Sequence, residues 1–140
     1  MNLGSTYYYL NQPAEALNHY QQAGCIFNQL HDKLNSAKIA TGLGLSYLAL
    51  QEYMEAARVF LSSIQLFAEL EDDSLRLNAT DGLVMTYIAD QQYEEAIALA
   101  EQALNELTRM TSAPNYPYLL QSLTIHLAEA RRGQTSRISE

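Results

Sequence analysis

The fold of this chain is decided by the stretch from Leu43 to Phe60, LGLSYLALQEYMEAARVF, which divides into two helices joined at residues 51–52. In the first helix, Leu43, Tyr47 and Leu50 are spaced by four and then three residues, so they share one helical face. The second helix presents a matching apolar face, formed by Tyr53, Ala56, Ala57, Phe60 and Ile64. The stretch therefore predicts a helical hairpin whose apolar faces pack together.

The same pattern returns when the sequence is shifted by forty residues in either direction. Three columns of matching residues show it: Leu3, Leu43, Leu83 and Leu123; Tyr7, Tyr47, Tyr87 and Leu127; and Ala16, Ala56 and Ala96. The spacing between matching residues is forty in every column, without an insertion or deletion. Such self-similarity predicts a protein built by stacking one helical unit several times.

The order Leu-Gly-x-x-Tyr, followed by Ala-x-x-x-Phe thirteen residues after the Leu, resembles the tetratricopeptide repeat. The copies that begin at Leu3 and Leu43 fit this pattern well, whereas the third copy has Val84 in place of the Gly and Ala100 in place of the aromatic residue. A forty-residue period also suits HEAT or armadillo repeats, but those families do not require this set of residues. The long period resembles the kinesin-light-chain-like form of the family, and we expect its additional residues to lengthen the second helix.

The resemblance implies an all-α, right-handed α-solenoid of antiparallel helix pairs, with about three repeats and a C-terminal helix. We expect one domain over residues 1–132, with repeats at about 1–32, 33–72 and 73–112 and a capping helix at 117–132. We expect Gly133 to end that helix and residues 133–140 to form a flexible tail. Met1 falls where the first helix would already be about a turn old, so the chain is either a fragment of a longer array, which we favour, or has a short first helix.

Polar residues mark the predicted helix starts. Asp32 suits the N-cap of one first helix, Asp73 or Ser74 suits the next, and Asn115 precedes Pro117 in the last repeat. Each of these side chains can accept a hydrogen bond from the otherwise unpaired N–H groups of a first helical turn. The sequence therefore predicts one N-cap before each of these helices.

Composition limits the classes of function. With 48% apolar and 17% charged residues, the chain has the composition of a globular protein. Its net charge of −8 repels phosphate backbones and anionic lipid, so we expect no nucleic acid and no membrane partner. The acidic excess either keeps the array soluble or favours a basic partner. The single Cys25 and an N-terminus without a signal-peptide pattern lead us to expect a cytoplasmic protein.

The sequence offers no constellation of residues for catalysis or cofactor binding. His19, His31 and His126 lie far apart, and no Cys or His motif with metal-ligand spacing is present. Glycine-rich phosphate-binding loops and nucleophile motifs are also missing, and we interpret Cys25 as an ordinary thiol. We therefore expect a protein that is not an enzyme and needs no cofactor.

In the tetratricopeptide family, the first helices line a concave groove that holds an extended peptide or a partner helix. Alignment to the family assigns the lining of this groove to Tyr8, Tyr9, Lys38, Thr41, Leu45, Leu48, Asn78, Asp81, Met85, Ile88, Tyr118, Gln121 and Ile125. Lys38 is the only cation in this set and Asp81 is an anion, which argues against a clamp for C-terminal carboxylates. The apolar members favour a protein or peptide with an apolar or amphipathic segment.

Three functions remain open at this stage. The first is a non-catalytic interaction module within a larger adaptor or regulator. The second is a regulatory domain that senses a ligand or peptide, which a closed polar pocket around Asn78, Asp81 and Gly82 would favour. The third is a structural spacer, or an element that self-associates through its N-terminal end. Gly42 and Gly82 are forty residues apart, and either tight packing or room for a ligand would explain them.

Overall fold

In the computed structural model of the protein, residues 12–139 are described and form six helices without a strand among them. The helices are α1 (Pro13–Gln29), α2 (Lys33–Ala49), α3 (Tyr53–Glu69), α4 (Asp73–Ala89), α5 (Tyr93–Leu107) and α6 (Tyr116–Ser139). Each helix packs against the next one in the chain. The all-α solenoid of helix pairs predicted from the sequence is confirmed, while the predictions about Met1, Tyr8 and Tyr9 lie outside the described residues.

The array bends because its two sets of helices are spaced differently. Helix α2 contacts α4 and α4 contacts α6, so the first helices of successive repeats touch one another. Among the helices between residues 12 and 139, the backbones of the second helices α1, α3 and α5 do not approach one another as closely as those of the first helices. The first helices therefore form the inner, concave side of the array, and the second helices form its convex side.

The turns between helices repeat one backbone geometry. Helices α1 to α4 have 17 residues each, and the middle residue of each following turn has a positive φ: His31, Gln51, Glu71 and Gln91. In the second of these turns, the Gln51 N–H donates to the Leu48 carbonyl at 3.0 Å and the Glu52 N–H donates to the Tyr47 carbonyl at 2.9 Å. This is the Schellman pattern of helix termination. Because α2 and α3 of one repeat both have 17 residues, and α5 is shorter than α4 in the next, the additional length is not confined to the second helix, contrary to the prediction.

A non-glycine residue with positive φ is strained, which makes Gln51 a site for stabilisation. We expect Gln51→Gly to raise the free energy of unfolding by about 0.5–1 kcal/mol, because relief of the left-handed strain outweighs the greater freedom of glycine in the unfolded chain. Gln65→Gly, in the middle of α3, should instead lower it by about 1 kcal/mol. Urea unfolding followed by circular dichroism measures both values. An equal loss in both variants would contradict the assigned turn.

Aspartates that directly precede two of the first helices cap them. The Asp32 carboxylate accepts a hydrogen bond from the Asn35 N–H at 3.0 Å, as predicted. In the next repeat the cap is Asp72, which accepts from the Leu75 N–H at 3.0 Å, so the prediction of Asp73 or Ser74 is wrong. The reason is that the helix begins one residue earlier than the pattern indicated.

Asn115 has a different role from the predicted cap. Its side-chain amide donates to the Ser74 carbonyl at 3.1 Å and accepts a hydrogen bond from the Ser74 hydroxyl. These bonds tie the start of α6 to the start of α4. Asn115 therefore fixes how two first helices lie relative to each other.

One of the buried clusters contains an aromatic ring that lies between two glycines. Phe60 has no exposed surface, and a Cβ atom on either Gly44 or Gly82 would lie closer than 3.0 Å to its ring. Gly44 belongs to the same repeat as Phe60, whereas Gly82 belongs to the next repeat. Tyr20 meets Gly42 in the same manner one repeat earlier. Gly42 and Gly82 are therefore explained by tight packing between repeats, which decides the alternative left open by the sequence.

The third repeat reverses this size pattern. Ala100 stands at the register of Phe60, and Val84 stands at the register of Gly44. Both are fully buried in one cluster with Leu119 and Leu123. A small residue on the second helix thus faces a larger one on the first helix. The two departures from the family pattern are compensating changes in one packed layer.

The last helix does not end at Gly133, so that prediction is wrong. Helix α6 continues to Ser139, and a Cβ atom at Gly133 would overlap the ring of Tyr93 on α5. Arg137 lies over the same ring, 5.5 Å from its centroid, and its guanidinium donates to the Gln91 carbonyl at 3.0 Å and to Glu94. Gly133 permits close packing of two helices here and does not act as a stop signal.

Candidate functional site

The predicted groove residues within the described part of the chain lie on the three first helices. Helix α2 carries Lys38, Thr41, Leu45 and Leu48; α4 carries Asn78, Asp81, Met85 and Ile88; and α6 carries Tyr118, Gln121 and Ile125. Because α2 contacts α4 and α4 contacts α6, the fold brings these helices together along the concave side. Tyr8 and Tyr9 fall outside the described residues.

The exposure of this set increases toward α6. Tyr118 and Ile125 are 61% and 48% exposed, and Gln121 is exposed as well. The members on α2 and α4 are half-buried, apart from Asp81. Surface that a partner can cover is therefore greatest at the C-terminal end of the concave side.

The apolar members on α2 and α4 contribute to the core as well as to the surface. Leu45 and Leu48 pack against the buried cluster that contains Phe60 and Leu83, while Ile88 packs against a second cluster, around Leu119 and Leu123. Substituting such residues would change stability and surface together. Exposed Ile125 is therefore the better position for testing the surface alone.

Thr41 is less available to a ligand than its alignment suggests. Its hydroxyl donates to the Ala37 carbonyl at 3.2 Å in its own helix. It also lies 2.6 Å from the hydroxyl of Ser63 on α3, and Ser63 in turn donates to the Ala37 carbonyl at 2.9 Å. The Thr41 and Ser63 hydroxyls thus form one hydrogen-bonded group with the Ala37 carbonyl, and this group joins the two helices of one repeat.

The assignment of Asp81 to the groove lining is wrong. Asp81 is only 3% exposed, and both of its carboxylate oxygens are engaged by α6. The Ser122 hydroxyl donates to Oδ2 at 2.6 Å, and Nδ1 of His126 lies 2.6 Å from Oδ1. We call these three residues the Asp81–Ser122–His126 cluster. It lies in the interface between α4 and α6, where Ser122 and His126 engage both carboxylate oxygens of Asp81.

Ser122 and His126 were missed by reasoning from the sequence. They are one helical turn apart, so they share a face of α6, and Ser122 stands at the register of Gly42 and Gly82. Those glycines lie on the helix face that packs on the preceding repeat. The register of Ser122 was therefore the signal that its side chain faces the preceding repeat, although its partner there, Asp81, lies on α4.

The charge surroundings of His126 favour its protonated form. The hydrogen bond with Asp81 is the main cause that raises the pKa of His126 above its ordinary value, and the nearby charges of Asp81 and Glu129 act in the same direction. Partial burial of the ring opposes them. The net result is an imidazole that holds its proton more tightly than a free histidine.

The convex side has a cleft of its own, because the backbones of the second helices lie further apart than those of the first helices. A cavity of about 170 Å³ lies between α3 and α5, with Leu61, Ile64, Leu83 and Leu99 among its lining residues. Arg76 also lines it and is paired with Glu106 and with Asp73, at 3.4 Å from the latter. The exposed Leu61 makes this cleft a useful control surface for the concave side.

Two family models described as Tetratricopeptide repeat match the chain, one at residues 35–105 and one at residues 1–30. The chain belongs to the tetratricopeptide repeat family. In this tetratricopeptide array, Phe60 of a second helix packs between Gly44 and Gly82 of two successive first helices. Its repeats indicate a protein–protein interaction module. No curated protein matches the chain.

Membrane and metal features complete the description of residues 12–139. No helix in this part of the tetratricopeptide array combines the length and the apolar character needed to cross a bilayer. The same residues contain no group of three or more His, Cys, Asp or Glu side chains placed to hold a metal ion. Cys25 carries a free, exposed thiol.

Proposed function

We propose that this tetratricopeptide array is a non-catalytic module that binds a segment of a partner protein on its concave side. The observation that carries the proposal is a column of apolar residues, Leu45, Met85 and Ile125, at one register of three adjacent first helices. Leu45 and Met85 are half-buried and Ile125 is exposed. A partner segment that crosses the three helices would contact all three side chains.

The exposed apolar groups near α6 give such a partner a source of binding free energy. Covering a side chain such as Ile125 stabilises a complex by about 25 cal/mol per Å² of apolar surface removed from water. Tyr118 adds an aromatic ring with a polar tip, a residue type enriched at interfaces. Met85 adds an adaptable side chain that packs against partners of different shape. Together they favour an apolar or amphipathic segment.

Charge argues for the same class of partner. Lys38 is the only cation among the predicted lining residues, so nothing there resembles a clamp for a carboxylate terminus. The net charge of −8 disfavours nucleic acids and anionic lipid surfaces. We therefore propose a protein segment docked as a helix or as an extended strand, within a larger cytoplasmic adaptor or regulator.

The two other functions make different predictions. A sensor with a pocket around Asp81 and Gly82 would need space that Phe60 and α6 already fill, so a sensed ligand would have to bind elsewhere. A spacer that self-associates through its N-terminal end would form dimers and bind no peptide. Sedimentation of the isolated chain, together with a peptide-binding assay, separates these functions from the proposed one.

A pair of variants matched in exposure tests the proposal. Peptides are first selected from a random displayed library against the wild-type protein. Ile125→Glu, on the concave side, should lower the affinity for the selected peptides about tenfold, which corresponds to the loss of about 1.4 kcal/mol of contact. Leu61→Glu, on the convex side and 51% exposed, should leave the affinity unchanged. The reverse result would place the binding surface on the convex side and overturn the proposal.

A further inference from the structure

The interface between α4 and α6 contains a polar cluster within apolar surroundings. Leu119, Leu123 and Ala130 of α6 are fully buried in the neighbouring core. Beside them, the Asp81–Ser122–His126 cluster places a carboxylate that is 3% exposed against a hydroxyl and an imidazole. A buried carboxylate requires compensating donors or charge. In this protein α6 supplies all the compensation that Asp81 receives.

This arrangement is confined to the last of the described junctions between first helices. At the register of His126 the earlier repeats have Ser46 and Thr86, which are buried and donate to carbonyls of their own helices, 3.0 Å to Gly42 and 2.9 Å to Gly82. Those hydroxyls therefore find their hydrogen-bond acceptors within their own helices. Only the α4–α6 junction replaces this local solution with a charged contact between helices.

We propose that the Asp81–Ser122–His126 cluster is a proton-controlled clasp, which holds α6 against α4 more firmly when His126 is protonated than when it is neutral. With the proton, His126 and Asp81 form an ion pair reinforced by a hydrogen bond. Without it, the Nδ1–H can still donate to Asp81, but the buried carboxylate loses its countercharge. Ser122 donates in both states, so it supports the clasp without making it depend on pH.

The charges around His126 determine the direction of the effect. Asp81 faces it from α4, and Glu129 lies one turn further along α6. On α5, Glu101 and Glu94 are paired with Arg131 and Arg137 of α6. The charges that raise the pKa of His126 are thus both negative and favour the proton. A pKa raised in the folded state means that the stabilisation is complete below about pH 6.5, the ordinary value, and is lost as the pH rises through the folded-state pKa.

The clasp has a consequence for the concave side, and this step rests on the proposed function. Helix α6 carries Tyr118, Gln121 and Ile125, the most exposed members of the predicted groove. If α6 is held less firmly, these side chains spend less time in the single arrangement that a partner would bind. Binding at the concave side should therefore weaken with rising pH, although the clasp itself does not depend on any ligand.

Amide hydrogen exchange of the unliganded protein tests the clasp directly. Exchange is measured from about pH 5.5 to about pH 8.5, on either side of the ordinary histidine pKa, and corrected for the intrinsic pH dependence of exchange. Protection of the α6 amides should fall about tenfold over this range, the difference between a charge-assisted and a neutral hydrogen bond. Protection of the α2 amides should change much less, because α2 makes no contact with α6.

Three variants distinguish the clasp from a contact that is merely structural. His126→Gln should have low α6 protection at every pH, without the slope of the wild type. Ser122→Ala should lower protection but keep the slope, and His19→Gln, an exposed histidine on α1, should behave like the wild type. A pH slope retained in His126→Gln would overturn the proposal. If that variant does not fold, NMR titration of the His126 ring in the wild-type protein tests the proposal instead. A pKa of His126 no higher than that of free histidine would also overturn the proposal.

Discussion

Phe60→Ala is expected to lower the free energy of unfolding by about 3–5 kcal/mol, the cost of truncating a large aromatic side chain in a packed core. The ring has no exposed surface and lies between Gly44 and Gly82 on two successive first helices. Glycines cannot extend into the space it would leave. The truncation therefore loses contacts within one repeat and between two repeats at once.

Urea unfolding followed by circular dichroism measures this loss. Tyr118→Ala is the matched control, because it removes an aromatic side chain that is 61% exposed and should change stability by no more than about 0.5 kcal/mol. A loss below about 1 kcal/mol for Phe60→Ala would mean that the packing of the repeats has been assigned in the wrong register.

Gly82→Ala is expected to destabilise the protein by about 1–3 kcal/mol, although an alanine normally favours a helix over a glycine by about 1 kcal/mol. The substitution is destabilising here, despite the helix preference for alanine, because the added Cβ would lie within 3.0 Å of the Phe60 ring. Phe60 is itself enclosed, so the ring cannot move away without disturbing Gly44 on the other side. The effect is one of overpacking.

A double-mutant cycle isolates this clash. In a Phe60→Ala background, Gly82→Ala should become neutral or stabilising, which gives a coupling energy of about 1–3 kcal/mol between the two positions. Gly24→Ala is the milder comparison, because its Cβ would meet a single atom, Cγ2 of Ile39, at 3.3 Å, and should cost less than Gly82→Ala. A stabilising Gly82→Ala in the otherwise wild-type protein would contradict the packing described here.

The sequence predicted the repeat because the period itself carries the information. Columns such as Leu43 with Leu83, and Tyr47 with Tyr87, are visible without any knowledge of the structure. They specify helices, their order and the faces that pack. The N-cap at Asp32 was predictable for the same reason, since its chemistry is local and its partner, Asn35, is three residues away.

Features that depend on contacts between distant residues were harder to predict. Gly133 resembles a helix stop in the sequence, and only the packing of Tyr93 against it explains why α6 continues. The turns at Gln51 and Glu71 use a left-handed backbone without the glycine that normally marks it. In both cases the neighbouring structure overrides the local preference of the residue.

The predicted lining residues within the described part of the chain lie on the first helices, but the exposure of individual side chains was harder to predict. Alignment to the family predicts that a residue at a given register position lies on the surface. It does not predict which side chains of a neighbouring helix lie opposite that residue. Asp81 is buried because Ser122 and His126 lie 41 and 45 residues further along the chain and provide its donors. Ile125 is exposed because its register has no such partner within the described residues.

The most direct test of binding on the concave side is NMR of methyl-labelled protein during titration with a peptide selected from the random library. We expect the methyl signals of Leu45, Met85 and Ile125 to shift together and with one affinity, while those of Leu61 and Leu99 beside the convex cleft stay in place. Shifts confined to Leu61 and Leu99 would contradict binding on the concave side, because the partner would then occupy the convex cleft and the column on the first helices would serve packing alone.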